Sequence, residues 1–194
     1  INGPRASEPR ERVLTNSEIR ELWAQSGTMA TIAKVCLLSA QRKGSVEAMR
    51  WCDLELEAKL WNIPATDMKS GRPHSVPLSD LTIRVLNGMP RLMGDYVFGV
   101  GSAGRKRFNG SSKGMKRLRL KIGNPDWTLH DLRRTAVTIA QKAGCPTAHI
   151  KANTQHKITG VNGVYDRQTY ADEKRLVSDA IASEVENTLA YEEC

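Results

Sequence analysis

The chain has 194 residues, 40% of them hydrophobic and 26% charged, enough apolar material for one ordinary soluble domain with a core or for two small ones. No stretch is apolar enough to span a bilayer and none reads as a secretory signal, which sets aside a helical membrane protein. A formal net charge of +8 and a pI near 9.5 favour an anionic partner, most commonly nucleic acid. Aromatics at 5% leave the core to Leu, Ile, Val, Met and Ala, a composition that leans helical. Cys36, Cys52, Cys145 and Cys194 are widely spaced and lack a metal-ligand pattern, so reduced thiols in a cytoplasmic setting are expected.

Residues 1–14 are polar, contain Pro4 and Pro9, and are expected to be a linker. A start at Ile1 in place of Met suggests a fragment whose N-terminal part holds another domain. Thr15 and Glu18 have the spacing of a capping box, and Ile19, Leu22 and Trp23 give the helix that follows an apolar face, ended by Gly27. The nearly all-apolar stretch 29–39 predicts a buried helix. Arg42 emerges directly from it, ahead of a short helical piece expected over 45–50. A guanidinium at that place either snorkels to water or lines a cavity.

Residues 54–56 and 60–63 read as short strands joined near Ala58-Lys59, and 74–78 as a third strand after Lys69-Ser70-Gly71-Arg72, whose Gly71 suits a tight reversal. The expected product is a small antiparallel sheet with Lys69 at a hairpin tip; taken alone, that lysine is an ordinary solvated turn residue. Ser79 caps a helix to about residue 87, and residues 96–98 read as an extended piece. Between Gly101 and Lys121 stand Arg105, Lys106, Arg107, Lys113, Lys116, Arg117, Arg119 and Lys121 without an acid, first in a Gly/Ser-rich loop and then, from about Ser112, in a helix. Such a face contacts a phosphate backbone, or is simply solvated.

Thr128 is a good N-cap, Leu129, Leu132, Ala136, Ile139 and Ala140 keep helical spacing, and Gly144 suits the far end. His130 and Arg133, three residues apart, lie one above the other on that helix. Both a phosphate site and a surface histidine beside a solvated arginine fit this pair taken alone. Pro146 opens a short helix to about residue 153, and residues 155–167 are rich in Gly and Asn and loop-like. Over 172–189 an amphipathic helix is expected, with Leu176, Val177, Ala180, Ile181, Val185 and Leu189 on one stripe. The acids from Asp172 to Glu193 should keep that tail away from an anionic ligand.

In chain order the chemistry-bearing residues are Arg42, Lys69, His130, Arg133, His156 and Tyr165. Their order and spacing resemble the tyrosine recombinases, the phage-integrase family of site-specific DNA recombinases. The flanks resemble it too: Arg50-Trp51-Cys52-Asp53-Leu54, the run from Gly71 to Leu78, and Gln155-His156-Lys157 with Tyr165 nine residues beyond His156. Val164-Tyr165-Asp166-Arg167 looks like prophage-type integrases. A lone H-x-x-R says little; six catalytic residue types in order, with their flanks, say much more. The resemblance covers about residues 12–190. It implies a mainly helical catalytic-domain fold with a three-stranded antiparallel sheet over 15–170, then a C-terminal helix and tail over 171–194 that docks on a neighbouring protomer or packs in cis.

The resemblance also implies roles. Arg42 and Arg133 would clamp the scissile phosphate through directed, charge-assisted hydrogen bonds. His130 would take the proton of the Tyr165 phenol, a weak nucleophile at neutral pH, and Lys69 would protonate the departing 5′ oxygen. His156 would bond the phosphate, and Tyr165 would carry the DNA as a 3′-phosphotyrosine. One ester replaces another, so no cofactor and no metal are expected. Lys43, Arg72, Arg105, Lys106, Arg107, Lys113, Lys116 and Arg117 are the candidate DNA contacts. The expected partner is a double-stranded attachment site, bound by a homotetramer of a chain that is monomeric alone, in the nucleoid-containing cytoplasm of a bacterial host. Without a preceding helical domain, the isolated chain should bind DNA weakly and lose it with salt.

One departure stands out: Ser45 occupies a position where this family often has an acid, which puts the tuning of the arginine and histidine cluster in question. Tyr170 and Tyr191 are rival nucleophiles whose spacing and acidic surroundings fit poorly. Two other readings compete. A non-catalytic DNA-binding module accounts for the basic charge but not for the six residues at family spacing. A metal-dependent nuclease using His130 and His156 lacks enough flanking carboxylates. Relaxation of supercoiled DNA is a side activity that the similar chemistry of type IB topoisomerases suggests.

Overall fold

A computed structural model describes residues 11–68, 70–123, 126–155 and 170–191. Its elements run α1 (Asn16–Trp23), α2 (Thr28–Ser39), α3 (Lys43–Glu47), β1 (Leu54–Glu55), β2 (Leu60–Ile63), β3 (His74–Pro77), α4 (Asp80–Asn87), α5 (Ser111–Lys121), α6 (Leu129–Lys142), α7 (Thr147–Thr154) and α8 (Ala171–Ala190). The architecture is the mainly helical one with a small antiparallel sheet that composition and strand pattern predict. No helix among the described residues is long and apolar enough to cross a membrane.

Helix α2 is the axis of the packing, because it is apolar over most of its circumference, apart from a half-buried face of Thr28, Thr31 and Lys34. Ile32, Ala33, Val35, Cys36, Leu37 and Leu38 are wholly buried, and α1, α3, α4, α5, α6 and α8 all pack against it. Burying most of such a helix leaves its ends as places where polar groups can gather, and the candidate site lies at its C-terminal end. Leu14 is also buried and its N–H donates to Thr135 Oγ1 at 2.8 Å, tying the entering chain to α6. The capping box at the start of α1 forms as its spacing predicts, with Thr15 and Glu18 exchanging bonds.

The sheet has the order β1-β2-β3, antiparallel throughout, with Trp61 opposite both Leu54 and Val76 and Ile63 opposite His74. In β3 the alternation sends His74 and Val76 inward and Ser75 outward. Helix α8 lies across β3 and against α1, α6 and α7.

Three local expectations shift. The short helix after Arg42 covers Lys43–Glu47 in place of 45–50. Ala40 in the left-handed region (φ 55) ends α2, extended Arg42 then offers its carbonyl to the N–H groups of Ser45 and Val46, and Arg50 is extended and bridged to Tyr96. Of residues 96–98, Tyr96 makes that bridge while Val97 and Phe98 turn into the core. On α8 the buried face is Val177, Ser178, Ile181, Ala182, Val185 and Thr188, while Leu176, one residue off the stripe, is 62% exposed. A step of one residue turns a side chain about 100° around the helix, enough to carry Leu176 out of the interface.

Candidate active site

Helix α6 carries His130 and Arg133 on one face, as their spacing predicts. The backbone N–H and hydroxyl of Thr128 both donate to the Asp131 carboxylate at 2.8 Å, closing the first turn and fixing where the next residues point. Arg133 is 4% exposed. Its guanidinium donates from one nitrogen to the Ala40 carbonyl and from the other to the Thr154 carbonyl, each at 2.7 Å. It therefore joins the C-terminal ends of α2 and α7, where the last carbonyls of a helix lack intrahelical partners. Burial, and then the charge of Arg42, lower its pKa to about 10, so it remains cationic at neutral pH.

Arg42 is half-buried at the N-cap of α3. Its charge acts on Arg133, His130 and His74, so it lies within electrostatic reach of all three. Among the described residues, neither Arg42 nor Arg133 is paired with a carboxylate. His130 is exposed enough to meet a ligand. Its pKa is lowered by burial of the ring face against the protein and by the charges of Arg134 and Arg133, with Arg42 adding less, while Asp131 raises it. A depressed pKa keeps this imidazole neutral near pH 7 and thus able to accept a proton. Arg134 itself turns along the helix to Asp131 at 3.2 Å. Removing it with Arg134→Ala is expected to raise the His130 pKa, because the strongest of the charge effects on that ring disappears. An imidazole NMR titration that stays in place or moves down would contradict this arrangement.

The structure thus brings Arg42, His130 and Arg133 together. Lys69, His156 and Tyr165 lie outside the described residues. Of the two rival tyrosines, Tyr170 is half-buried at the N-cap of α8 and Tyr191 is exposed at its end. Ser45, at the position where an acid was in question, is buried and directs its hydroxyl to the Asp67 carbonyl at 3.5 Å, on the chain entering the Lys69 turn. The nearest acid in sequence, Glu47, is buried too, but accepts from the Ser111 hydroxyl at the start of α5 and stands 4.0 Å from Lys43. It anchors α3 to α5.

The candidate DNA contacts lie on several elements and do not form one cluster. Arg107 donates to the Gly44 carbonyl at 2.6 Å, two residues along the chain from Arg42. Lys43, Arg72, Arg105 and Lys106 are exposed. Lys113 and Arg117, with Lys121, line a groove against Gly27, Thr28 and Met29 at the start of α2, and Lys116 is exposed on the same helix. No cluster of metal-binding side chains occurs among the described residues, and Cys36, Cys52 and Cys145 are free thiols.

Sequence reasoning passed over the residues that support the arginines. Gln41 and His74 both donate to the Asn153 carbonyl, each at 2.8 Å, the imidazole through Nε2–H because a carbonyl only accepts. With Arg133 on the next carbonyl, three buried donors, from the connection after α2, from β3 and from α6, hold the end of α7. The one available signal was His74 itself, a polar residue at an inward strand position. Burial lowers its pKa to about 4, assisted by the charges of Lys174, Arg133 and Arg42 and opposed by its bond to Asn153. The folded state therefore refuses a proton that the unfolded chain accepts below its ordinary pKa of 6.5. The resulting stability is whole above about pH 6.5 and disappears as pH falls toward 4, a loss of about 3 kcal/mol. Denaturant unfolding across that window should show a steeper decline in the native chain than in His74→Gln; parallel profiles would refute the assignment.

Comparison with known proteins bears on the family and the fold. Residues 12–171 match the phage integrase family. The prophage integrase IntA of Escherichia coli (strain K12) is 30% identical over 142 residues, 72% of this chain and 34% of that protein. The chain thus spans about a third of the length of that relative. Among solved structures, the integrase from mycobacterium phage Brujita superposes with a TM-score of 0.70 at 17% identity, covering 98% of this chain and 67% of that one. A lambda integrase (75–356) dimer bound to a COC′ core site gives 0.60 at 17% identity, covering 78% and 60%. At such identities the structural likeness is one of fold.

Proposed function

The chain belongs to the phage integrase family, and from that premise we propose that it is the catalytic domain of a site-specific DNA recombinase. It cuts and rejoins duplex DNA by transesterification, integrating or excising a mobile element, in the cytoplasm of a bacterial host. The observation that carries this reading is a pair of guanidiniums, Arg42 and Arg133, whose charges act on each other and on His130, with neither paired to a carboxylate among the described residues. Like charges in that arrangement are costly unless a dianionic or anionic group arrives between them, and a phosphodiester supplies that charge.

In the reaction, the Tyr165 oxygen bonds to the scissile phosphorus as the bond from phosphorus to the 5′ oxygen breaks. The phenol proton passes to neutral His130, and Lys69 supplies one to the departing oxygen. Arg42, Arg133 and His156 bear the charge that builds on the non-bridging oxygens. The free 5′ hydroxyl of a second strand reverses the step and discharges the tyrosine. An ester is exchanged for an ester, so the chemistry calls for neither cofactor nor metal. The working assembly is a homotetramer on paired attachment sites.

The test is a nicked attachment-site duplex that loses its 5′ fragment after cleavage and so traps the covalent complex. An adduct that forms in the presence of chelator and maps by peptide mass to Tyr165 is the expected result. An adduct on Tyr170 would move the nucleophile, and cleavage abolished by chelator would favour a metal-dependent nuclease.

A further inference from the structure

We infer that Gln155 is a positioning residue: it clamps the β2–β3 connection to the end of α7, and the general-acid step assigned to Lys69 depends on that clamp. The inference rests on the reading above in which Lys69 protonates the leaving oxygen.

The hairpin needs such a clamp. Its ladder stops at the pair Ile63 and His74, and the chain between them is a connection without strand pairing. Near the strands it is held through Asp67, which receives the Ser45 hydroxyl at 3.5 Å and stands 3.7 Å from Arg50. The outer part, Ser70 to Arg72, is exposed and turns at Gly71 with φ 64. Here the amide of Gln155 uses both its ends on the same turn. Its Oε1 accepts from the Ser70 hydroxyl at 2.9 Å, and its Nε2 donates to the Arg72 carbonyl at 3.2 Å. Ser70 directly follows Lys69, and Gln155 directly precedes His156. The two bonds therefore join the chain neighbours of two residues to which the reading above gives roles at one phosphate.

The other end of the clamp is rigid. Asn153 and Thr154 are held by Gln41, His74 and Arg133, so the backbone reaching Gln155 is fixed relative to the arginine pair. Gln155 itself is left-handed, φ 51 and ψ 40, at the C-cap of α7. Glycine is the residue that adopts this conformation without strain, so a glutamine here carries a cost to the backbone.

That conformation also makes a clean experiment. Gln155→Gly keeps the chain path and deletes both side-chain bonds, and Gln155→Asn, which tolerates the left-handed region, carries an amide too short to span the turn. Single-turnover cleavage by the full chain is measured on two substrates, one with the normal 5′ oxygen and one with a 5′ bridging sulfur. A thiolate leaves without a proton, so sulfur removes the need for a general acid. With oxygen, both variants should be slowed about tenfold or more, a part of the 10²-fold to 10⁴-fold that a general acid supplies. With sulfur they should cleave within about twofold of the native chain, because the missing step is then not required. A structural defect would slow both substrates alike, and equal loss on the two, or no loss on either, overturns the inference. Lys69→Ala is the reference. If sulfur rescues Lys69→Ala but Gln155→Gly shows no oxygen-specific defect, only the clamp is wrong; if sulfur fails to rescue Lys69→Ala, the role of Lys69 falls and the inference with it.

Discussion

Arg133→Ala should abolish strand cleavage, losing at least about 10²-fold to 10³-fold in rate, the range for removing a donor aimed at developing charge. It should also destabilise the domain. The Ala40 and Thr154 carbonyls each lose a charge-assisted bond of 2.7 Å inside the protein. At about 1.5 to 3 kcal/mol for a hydrogen bond to a charged group, a total cost of about 3 kcal/mol or more is expected. Because the two effects share one side chain, Arg133→Lys separates them. Lysine keeps the positive charge but is a point donor, unable to serve carbonyls on two helices and a phosphate together. Denaturant unfolding beside single-turnover cleavage should find its stability nearer the native value than its activity. Native-like cleavage by Arg133→Lys would show that charge alone is enough and that the forked geometry is not used.

Tyr165→Phe carries the second large effect: no covalent protein–DNA complex should form, whatever the incubation time. The change removes one oxygen, so duplex affinity and thermal unfolding should stay near native. A gel-shift assay run beside the covalent trap distinguishes the two steps. An adduct persisting in Tyr165→Phe, at native yield, would mean that another hydroxyl attacks.

Several parts of the fold were open to reading residue by residue. The capping box at Thr15 and Glu18, the apolar run that becomes α2, the alternation in β2 and β3, and the helical spacing from Leu129 to Ala140 are all statements about neighbours in sequence, and each formed where its pattern lay. The boundary of α3 was not, since it depended on Ala40 taking the left-handed region and freeing Arg42 to act as an N-cap. Nor was the outward turn of Leu176, which hydrophobicity alone assigns to the interior and which the placement of α8 over β3 sends to solvent.

The candidate site divides in the same way. His130 and Arg133 share a face because helical geometry requires it, and the order of Arg42, Lys69, His130, Arg133, His156 and Tyr165 is written in the chain. Those facts name the chemistry. What they leave open is which groups support it, because support comes from segments distant in sequence. Gln41 reaches Asn153 across 112 residues, His74 across 79, and Gln155 reaches Ser70 across 85. Such bonds have no periodicity and no local signature, and a buried glutamine or histidine looks in sequence like any polar residue in a loop or strand. Identity and order of reactive groups follow from covalent connectivity and local geometry; their burial, their protonation and the scaffold that aims them follow from packing, which exists only once α2, α6, α7 and the hairpin have come together.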